Sequence, residues 1–138
     1  MENVREKLRS AGVRPTAHRL AVAAALEGDR SHPSADAVWA KVKKAFPAIS
    51  RATVYNTLDL FVKKSLVLRR SLDSGAAVYD PFTAPHHHLV DEATGHVYDI
   101  PWGEVRIKEK PSLKDFEVSE FYLVMRGRRR AAVPKKKS

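Results

Sequence analysis

Ser50-Arg-Ala-Thr-Val-Tyr-Asn-Thr-Leu-Asp-Leu-Phe-Val62 decides the reading of this chain. Ser50 is a helix-capping residue, whose side-chain oxygen can accept a hydrogen bond from the first turn. Behind it, Val54, Leu58, Phe61 and Val62 recur at helical spacing and fall on one side. The non-apolar side carries Arg51, Thr53, Tyr55, Asn56 and Thr57, groups able to bond phosphates and base edges. The stretch predicts an amphipathic helix that buries one face and presents the other to a polar partner.

Working outward, the upstream sequence predicts three more helices. Val4 to Ala11 fits a short one ending at Gly12. Pro15-Thr16 starts a second, with Leu20, Val22, Ala23 and Leu26 as its apolar face before Gly28. Ser34 caps a third, carrying Ala37, Val38, Trp39 and Val42 and stopping near Pro47. Downstream, two short apolar runs, Leu66 to Leu68 and Ala76 to Tyr79, flank Asp73-Ser-Gly75 as a hairpin. Helices followed by a basic hairpin predict a winged helix, with the Ser50 helix as recognition helix and the hairpin as wing. Beyond Pro81 and Pro85 the pattern becomes strand-like. His87 to Val90 and His96 to Ile100 flank Asp91–Gly95 as a second hairpin, and Phe116 to Met125 reads as a further strand. A short helix fits between Gly103 and Lys114, limited by Pro111. The expected class is α+β, with a winged-helix domain over 1–81 and a small α/β domain with a basic tail over 82–138.

Charge divides along the same lines. The chain of 138 residues carries 25 Lys+Arg against 16 Asp+Glu, a net charge of +9. Residues 1–80 are net +6, residues 81–125 net −4, and the segment from Arg126 to Ser138 adds 7 basic residues and no acidic one. A chain this basic points to a polyanion, with nucleic acid first and an anionic membrane surface second. Cysteine is absent, which excludes disulfides, thiolate zinc sites, iron–sulfur clusters and thiol redox sensing. No apolar run of about 18 residues and no signal-like N-terminus is present, so the expected location is the cytoplasm, away from membranes.

The chemically informative stretch is Tyr79-Asp-Pro-Phe-Thr-Ala-Pro-His-His-His88. In a strand, His86 and His88 share a face and His87 points away, so two imidazoles can grip one metal ion. Asp80 lies six residues upstream, and Asp99 falls on the partner strand of the hairpin. His32 precedes the third helix, in the other module. The same residues also fit a solvated loop, a helix-capping histidine and ordinary salt-bridged carboxylates.

Three further signatures carry a family resemblance. Gly12-Val-Arg-Pro-Thr-Ala-His-Arg19, His32-Pro-Ser-Ala-Asp-Ala-Val38 and Ser50-Arg-Ala-Thr-Val-Tyr-Asn-Thr-Leu58, followed by Tyr79-Asp80 and His86-His-His88, resemble the ferric uptake regulator family in order and spacing. The resemblance spans roughly residues 5 to 126. It implies a dimeric, metal-dependent transcription regulator that binds an inverted-repeat duplex, not an enzyme. It implies one divalent ion per subunit, held by His32, Asp80, His86, His88 and Asp99. It also implies Tyr55 and Arg51 at the bases, with Thr53, Asn56 and Thr57 nearby and Thr16 and Arg19 at phosphates. Aspartate at position 99 resembles the peroxide-sensing branch, in which His32 and His86 gain oxygen, whereas the iron-uptake branch typically has glutamate there. The family's two Cys-x-x-Cys pairs are replaced by Asp91 and Thr94 and by the Arg126–Arg130 segment, so no structural zinc is expected and the dimer must rest on packing. Its second histidine-rich site falls on a stretch where this chain has Glu120 and Phe121.

Three imidazoles and two carboxylates suit Fe(II), Mn(II) or Zn(II) and are poor for Cu(I) or Ca(II). An ion joining the two modules would fix the distance between recognition helices, so that half-sites about 34–36 Å apart, or a multiple of it, match only in the loaded state. Regulation by iron or another metal is the alternative to peroxide sensing. A mononuclear iron enzyme, built on two histidines and one carboxylate, is a further alternative. So is a constitutive DNA-binding protein with incidental histidines.

Overall fold

The computed structural model of the chain describes residues 3–72, 75–108 and 113–131. Among the described residues, four helices, α1 (Val4–Ser10), α2 (Ala17–Leu26), α3 (Ala35–Val42) and α4 (Arg51–Lys63), precede five strands. The strands are β1 (Leu68–Arg70), β2 (Val78–Asp80), β3 (His86–Asp91), β4 (Val97–Pro101) and β5 (Val124–Gly127). The chain separates into two compact units, Met1–Ala84 and Pro85–Ser138. No helix among the described residues is long and apolar enough to cross a membrane.

In the first unit, every helix begins at a side chain that satisfies an otherwise orphaned amide. Asn3 accepts from Glu6 N and Glu6 returns the bond, a capping box. Thr16, Ser34 and Ser50 accept from Arg19, Ala37 and Thr53 amides. α1 ends in a Schellman turn: Gly12 N donates to Arg9 O and Val13 N to Leu8 O. Gly12 takes φ 77°, a left-handed conformation that suits glycine. Val13 and Leu8, brought together by that turn, join the core with Val22, Leu26, Val38, Val42, Val54, Leu58 and Phe61. β1 and β2 then form an antiparallel wing, with Arg69 opposite Tyr79. The wing strands sit later than their apolar runs, at 68–70 rather than 66–68, because Leu66 N and Val67 serve the end of α4 and the core. The turn expected at Asp73-Ser lies outside the described residues.

The second unit is a three-stranded sheet of order β4-β3-β5, antiparallel between β3 and β4 and parallel between β3 and β5. Two expectations change here. The strand expected over Phe116–Met125 is confined to Val124–Gly127, with Phe116 to Leu123 irregular and mostly exposed. The helix expected between Gly103 and Lys114 is a single 3-10 turn at Trp102–Glu104 among the described residues. Pro111 and the Lys135–Lys137 tail lie outside them.

Candidate metal centre and nucleic-acid face

Each unit carries its own set of metal-type donors. In the first, His32 Nε2 stands 3.3 Å from Asp80 Oδ2, with both side chains 1% exposed. The loop before α3 reaches β2 because Tyr79 N donates to Pro33 O (2.9 Å) and Ser34 bridges to Val78. His32 takes φ 54°, a left-handed conformation that a histidine adopts at some cost. Asp80 Oδ1 accepts from Phe82 N at 2.9 Å, which orients the carboxylate and leaves Oδ2 towards the imidazole.

In the second unit, His88 is paired across the ladder with Asp99. His86, two residues back on the same face, lies diagonal to it. Asp99 Oδ1 is 3.3 Å from His86 Nε2 and 3.9 Å from His88 Nδ1. The two imidazole centroids are 4.7 Å apart, and Tyr122 packs edge-on against His88. Two ligands held about 2.1 Å from one ion sit roughly 3.0 Å apart at a right angle and roughly 3.4 Å apart at a tetrahedral one. The donor spacings in both sets lie close to that range. Mixed imidazole and carboxylate donors fit Fe(II), Mn(II) and Zn(II).

His87 turns to the opposite face, as strand alternation requires. It is 1% exposed, stacks on Trp102 at 4.3 Å and accepts from Leu123 N through Nδ1 at 3.0 Å. His88 N in turn donates to Leu123 O, so the segment before β5 is tied to β3 on both sides. Asp91 and Thr94, at the expected cysteine positions, serve the β3–β4 turn: Asp91 Oδ1 accepts from Ala93 N and Thr94 Oγ1 from His96 N.

On α4, Arg51, Tyr55 and Asn56 are exposed, while Thr53 is half-buried with its hydroxyl 2.9 Å from Ser50 Oγ. Thr57 departs from the expectation. It is 7% exposed and its hydroxyl donates to Thr53 O at 2.7 Å, because it lies a turn from Val54 and Phe61 on the core side. Thr57 therefore belongs to the packing and not to the outward face. Thr16 is spent as the α2 cap, and Arg19 donates to Arg14 O.

Two carboxylates with no role assigned from the sequence tie this face together. Tyr55 Oη donates to Asp36 Oδ1 at 2.7 Å, and Arg51 Nε lies 3.6 Å from the same oxygen. The Asp36 hydrogen bond, ahead of lesser desolvation, holds the Tyr55 phenol above its ordinary pKa. Arg69 on the wing pairs with Asp59 on α4 and donates through Nε to Tyr79 Oη at 3.2 Å. Asp36 and Asp59 do not stand out in the sequence, since an isolated acid on a helix is usually a solvated group.

Comparison with known proteins places the chain in a family. The Ferric uptake regulator family profile matches residues 10–126. The peroxide-responsive repressor PerR of Staphylococcus aureus is 30% identical over 122 residues, covering 87% of this chain and 82% of the repressor. The ferric uptake regulator of Pseudomonas aeruginosa, solved with manganese, superposes with a TM-score of 0.73 at 28% identity, covering 94% of this chain and 100% of that one. The Campylobacter jejuni peroxide stress regulator shares the fold, with a TM-score of 0.64 at 20% identity over 96% of this chain and 100% of its own. The chain belongs to the ferric uptake regulator family, whose members are metal-responsive transcription regulators and not enzymes.

Proposed function

We propose that this chain is a homodimeric repressor whose binding to an inverted-repeat DNA operator requires one divalent ion per subunit, and whose release is triggered by peroxide. The carrying observation is the pair of donor sets, His32 with Asp80 and His86 with His88 and Asp99, spaced as neighbouring ligands are. On this reading a single ion takes donors from both, Fe(II) or Mn(II) in the cell and Zn(II) also in vitro. An ion that binds the DNA-competent arrangement more tightly than the open one shifts the population; going from 1:99 to 99:1 takes about 5.5 kcal/mol of differential affinity.

Dimerisation is supported by an imbalance in the second unit. Val90 and Val97 are its buried apolar residues among those described, whereas Leu113, Phe116, Val118, Phe121, Leu123, Val124 and Met125 are exposed. Exposed apolar surface along an edge strand favours a second copy.

The peroxide reading rests on the similarity to the Staphylococcus aureus repressor and on aspartate at position 99. Ferrous iron, if held by these donors, would supply the electrons for peroxide cleavage, which manganese would not readily do. No thiol is present and the two methionines, Met1 and Met125, are poor reversible sensors, which leaves the imidazoles of the site; of these, the resemblance to peroxide sensors points to His32 and His86 as the ones that would gain oxygen. An oxidised imidazole is a poorer donor, so the site weakens and operator affinity falls. The likeness to the manganese-bound Pseudomonas aeruginosa regulator favours a second reading, in which metal level alone is the signal. DNA affinity measured with chelator, Mn(II) and Fe(II), before and after brief peroxide, separates the two when combined with peptide mass spectrometry. Oxygen at His32 or His86 with iron alone supports peroxide sensing. Intact histidines and undiminished DNA binding refute it in favour of metal sensing.

A further inference from the structure

The outward face of α4 is held by a residue of α3. Asp36 stands in the first turn of α3, and its Oδ1 receives the Tyr55 hydroxyl at 2.7 Å with Arg51 Nε at 3.6 Å. Arg51 and Tyr55 are one helical turn apart on α4, so a single carboxylate reaches both. Trp39, a turn further along α3, lies 4.5 Å beneath the Arg51 guanidinium. Trp39 is itself anchored, its Nε1 donating to Ile49 O at 3.0 Å just ahead of the α4 cap. The result is a latch of four side chains across the helix pair.

Its effect on fold stability is small. The Asp36 and Arg51 side chains are 61% and 63% exposed, and exposed ion pairs contribute little. Its effect on what α4 presents is larger. Tyr55 has one hydroxyl proton and spends it on Asp36, which leaves its ring and oxygen lone pairs for any ligand. A phenol so held cannot donate to a phosphate, but its ring can lie against a thymine methyl. Arg51, with Nε beside Asp36 and its plane over Trp39, keeps its terminal amino groups for a base edge. The carboxylate also opposes phosphates of any sequence.

We propose that Asp36 is a specificity-determining residue: by engaging Tyr55 Oη and Arg51 Nε it directs both side chains to base edges and away from indiscriminate phosphate contact. This rests on the reading that α4 enters DNA, and the experiment separates the two. A random-sequence duplex library is enriched on the Mn(II)-loaded full chain, and the best duplex is compared with a scrambled one of equal composition. Asp36→Ala should lower the affinity ratio between these duplexes about tenfold, chiefly by tightening binding to the scrambled one. Asp36→Asn keeps an oxygen that accepts from Tyr55 and should restore most of the ratio. Tyr55→Phe should lower the ratio, and Asp36→Ala/Tyr55→Phe should lose less than the product of the two single effects. Matching circular dichroism and melting curves exclude a folding defect as the cause. An unchanged ratio in Asp36→Ala, no restoration by Asp36→Asn, or full multiplicativity of the pair overturns the role of Asp36. A wild-type protein that enriches no sequence overturns both the DNA-reading role of α4 and the latch built on it.

Discussion

Replacing Asp80 by asparagine tests the first donor set with its structural duty held constant. Asp80 serves two partners with two oxygens: Oδ1 accepts from Phe82 N at 2.9 Å, and Oδ2 faces His32 Nε2 at 3.3 Å. Asparagine keeps an acceptor for Phe82 and loses the carboxylate, whereas alanine loses both. A partly buried amide left without its acceptor costs about 1–3 kcal/mol. In chelator, therefore, Asp80→Ala should be clearly less stable than Asp80→Asn. With Mn(II) at 100 times its dissociation constant, the wild type gains about 2.7 kcal/mol, roughly 10 °C in melting temperature for a domain of this size. Removing a ligand should weaken metal binding about 100-fold or more, since even residues behind the ligands are worth 10–100-fold. At the same Mn(II) concentration, Asp80→Asn then gains about 0.4 kcal/mol, or roughly 2 °C. Melting curves with and without Mn(II), alongside calorimetric titration, measure both quantities. If Asp80→Asn keeps the full metal-dependent shift, Asp80 is not a ligand and its burial beside His32 is purely structural.

Asp99→Ala should abolish metal-dependent DNA binding while the chelator-treated melting temperature stays near wild type, because the Asp99 side chain stands outside the apolar core; metal titration followed by DNA-binding assays checks this. For Asp29, burial raises the carboxyl but the Ser31 hydroxyl and amide bonds and the charge of Lys41 outweigh it, so the pKa falls below 3.8. Its contribution is thus present above that value and lost as pH falls through the lowered one, and the stability gap between wild type and Asp29→Asn should narrow in acid unfolding curves from pH 6 downward. Sedimentation in excess chelator should show a dimer, and a monomer would mean that metal rather than packing holds the interface. Truncation after Ala131 removes Lys135–Lys137 and should flatten the slope of log affinity against log salt, by about 0.9 for each phosphate that the tail no longer neutralises, without altering the preferred sequence.

The sequence is legible wherever local chemistry dictates the outcome. Ser34 and Ser50 each bond the third amide of the helix they precede, so both helix starts follow from capping alone. The His86/His88 alternation and its opposition to Asp99 follow from strand period and the length of the Asp91–Gly95 turn. Thr57 defies its residue type for a reason internal to the helix. Its polarity suggests the outward face, but its position three residues after Val54 turns it inward, and its hydroxyl is satisfied by the backbone of its own helix. Phe116 to Leu123 misleads because apolar alternation marks a strand only when a ladder partner exists. There Leu123 bonds β3 through both its amide and its carbonyl, and ladder pairing begins only at Val124.

Asp36 marks where sequence reasoning stops. Asp36 lies within the His32–Val38 signature, but the signature by itself gives this carboxylate no role beyond that of any acid placed in a first turn to favour the helix dipole. Its consequence depends on α4 crossing so that Tyr55 Oη comes within hydrogen-bond distance and Arg51 Nε within ion-pair distance of it, and the two helices meet over a core to which Val38, Val42, Val54 and Leu58 belong. The same crossing brings Trp39 under Arg51 and its indole nitrogen to Ile49 O. Apolar residues thus set the helix angle, and that angle decides which polar groups meet. A volume change in that core should therefore register in DNA discrimination as well as in stability. Val38→Ala is the economical version: it leaves every latch residue in place, costs about 1–3 kcal/mol by cavity formation, and should lower the duplex affinity ratio if the crossing angle sets the latch. Loss of stability with an unchanged ratio would show that Asp36, Arg51 and Tyr55 find one another independently of the core beneath them.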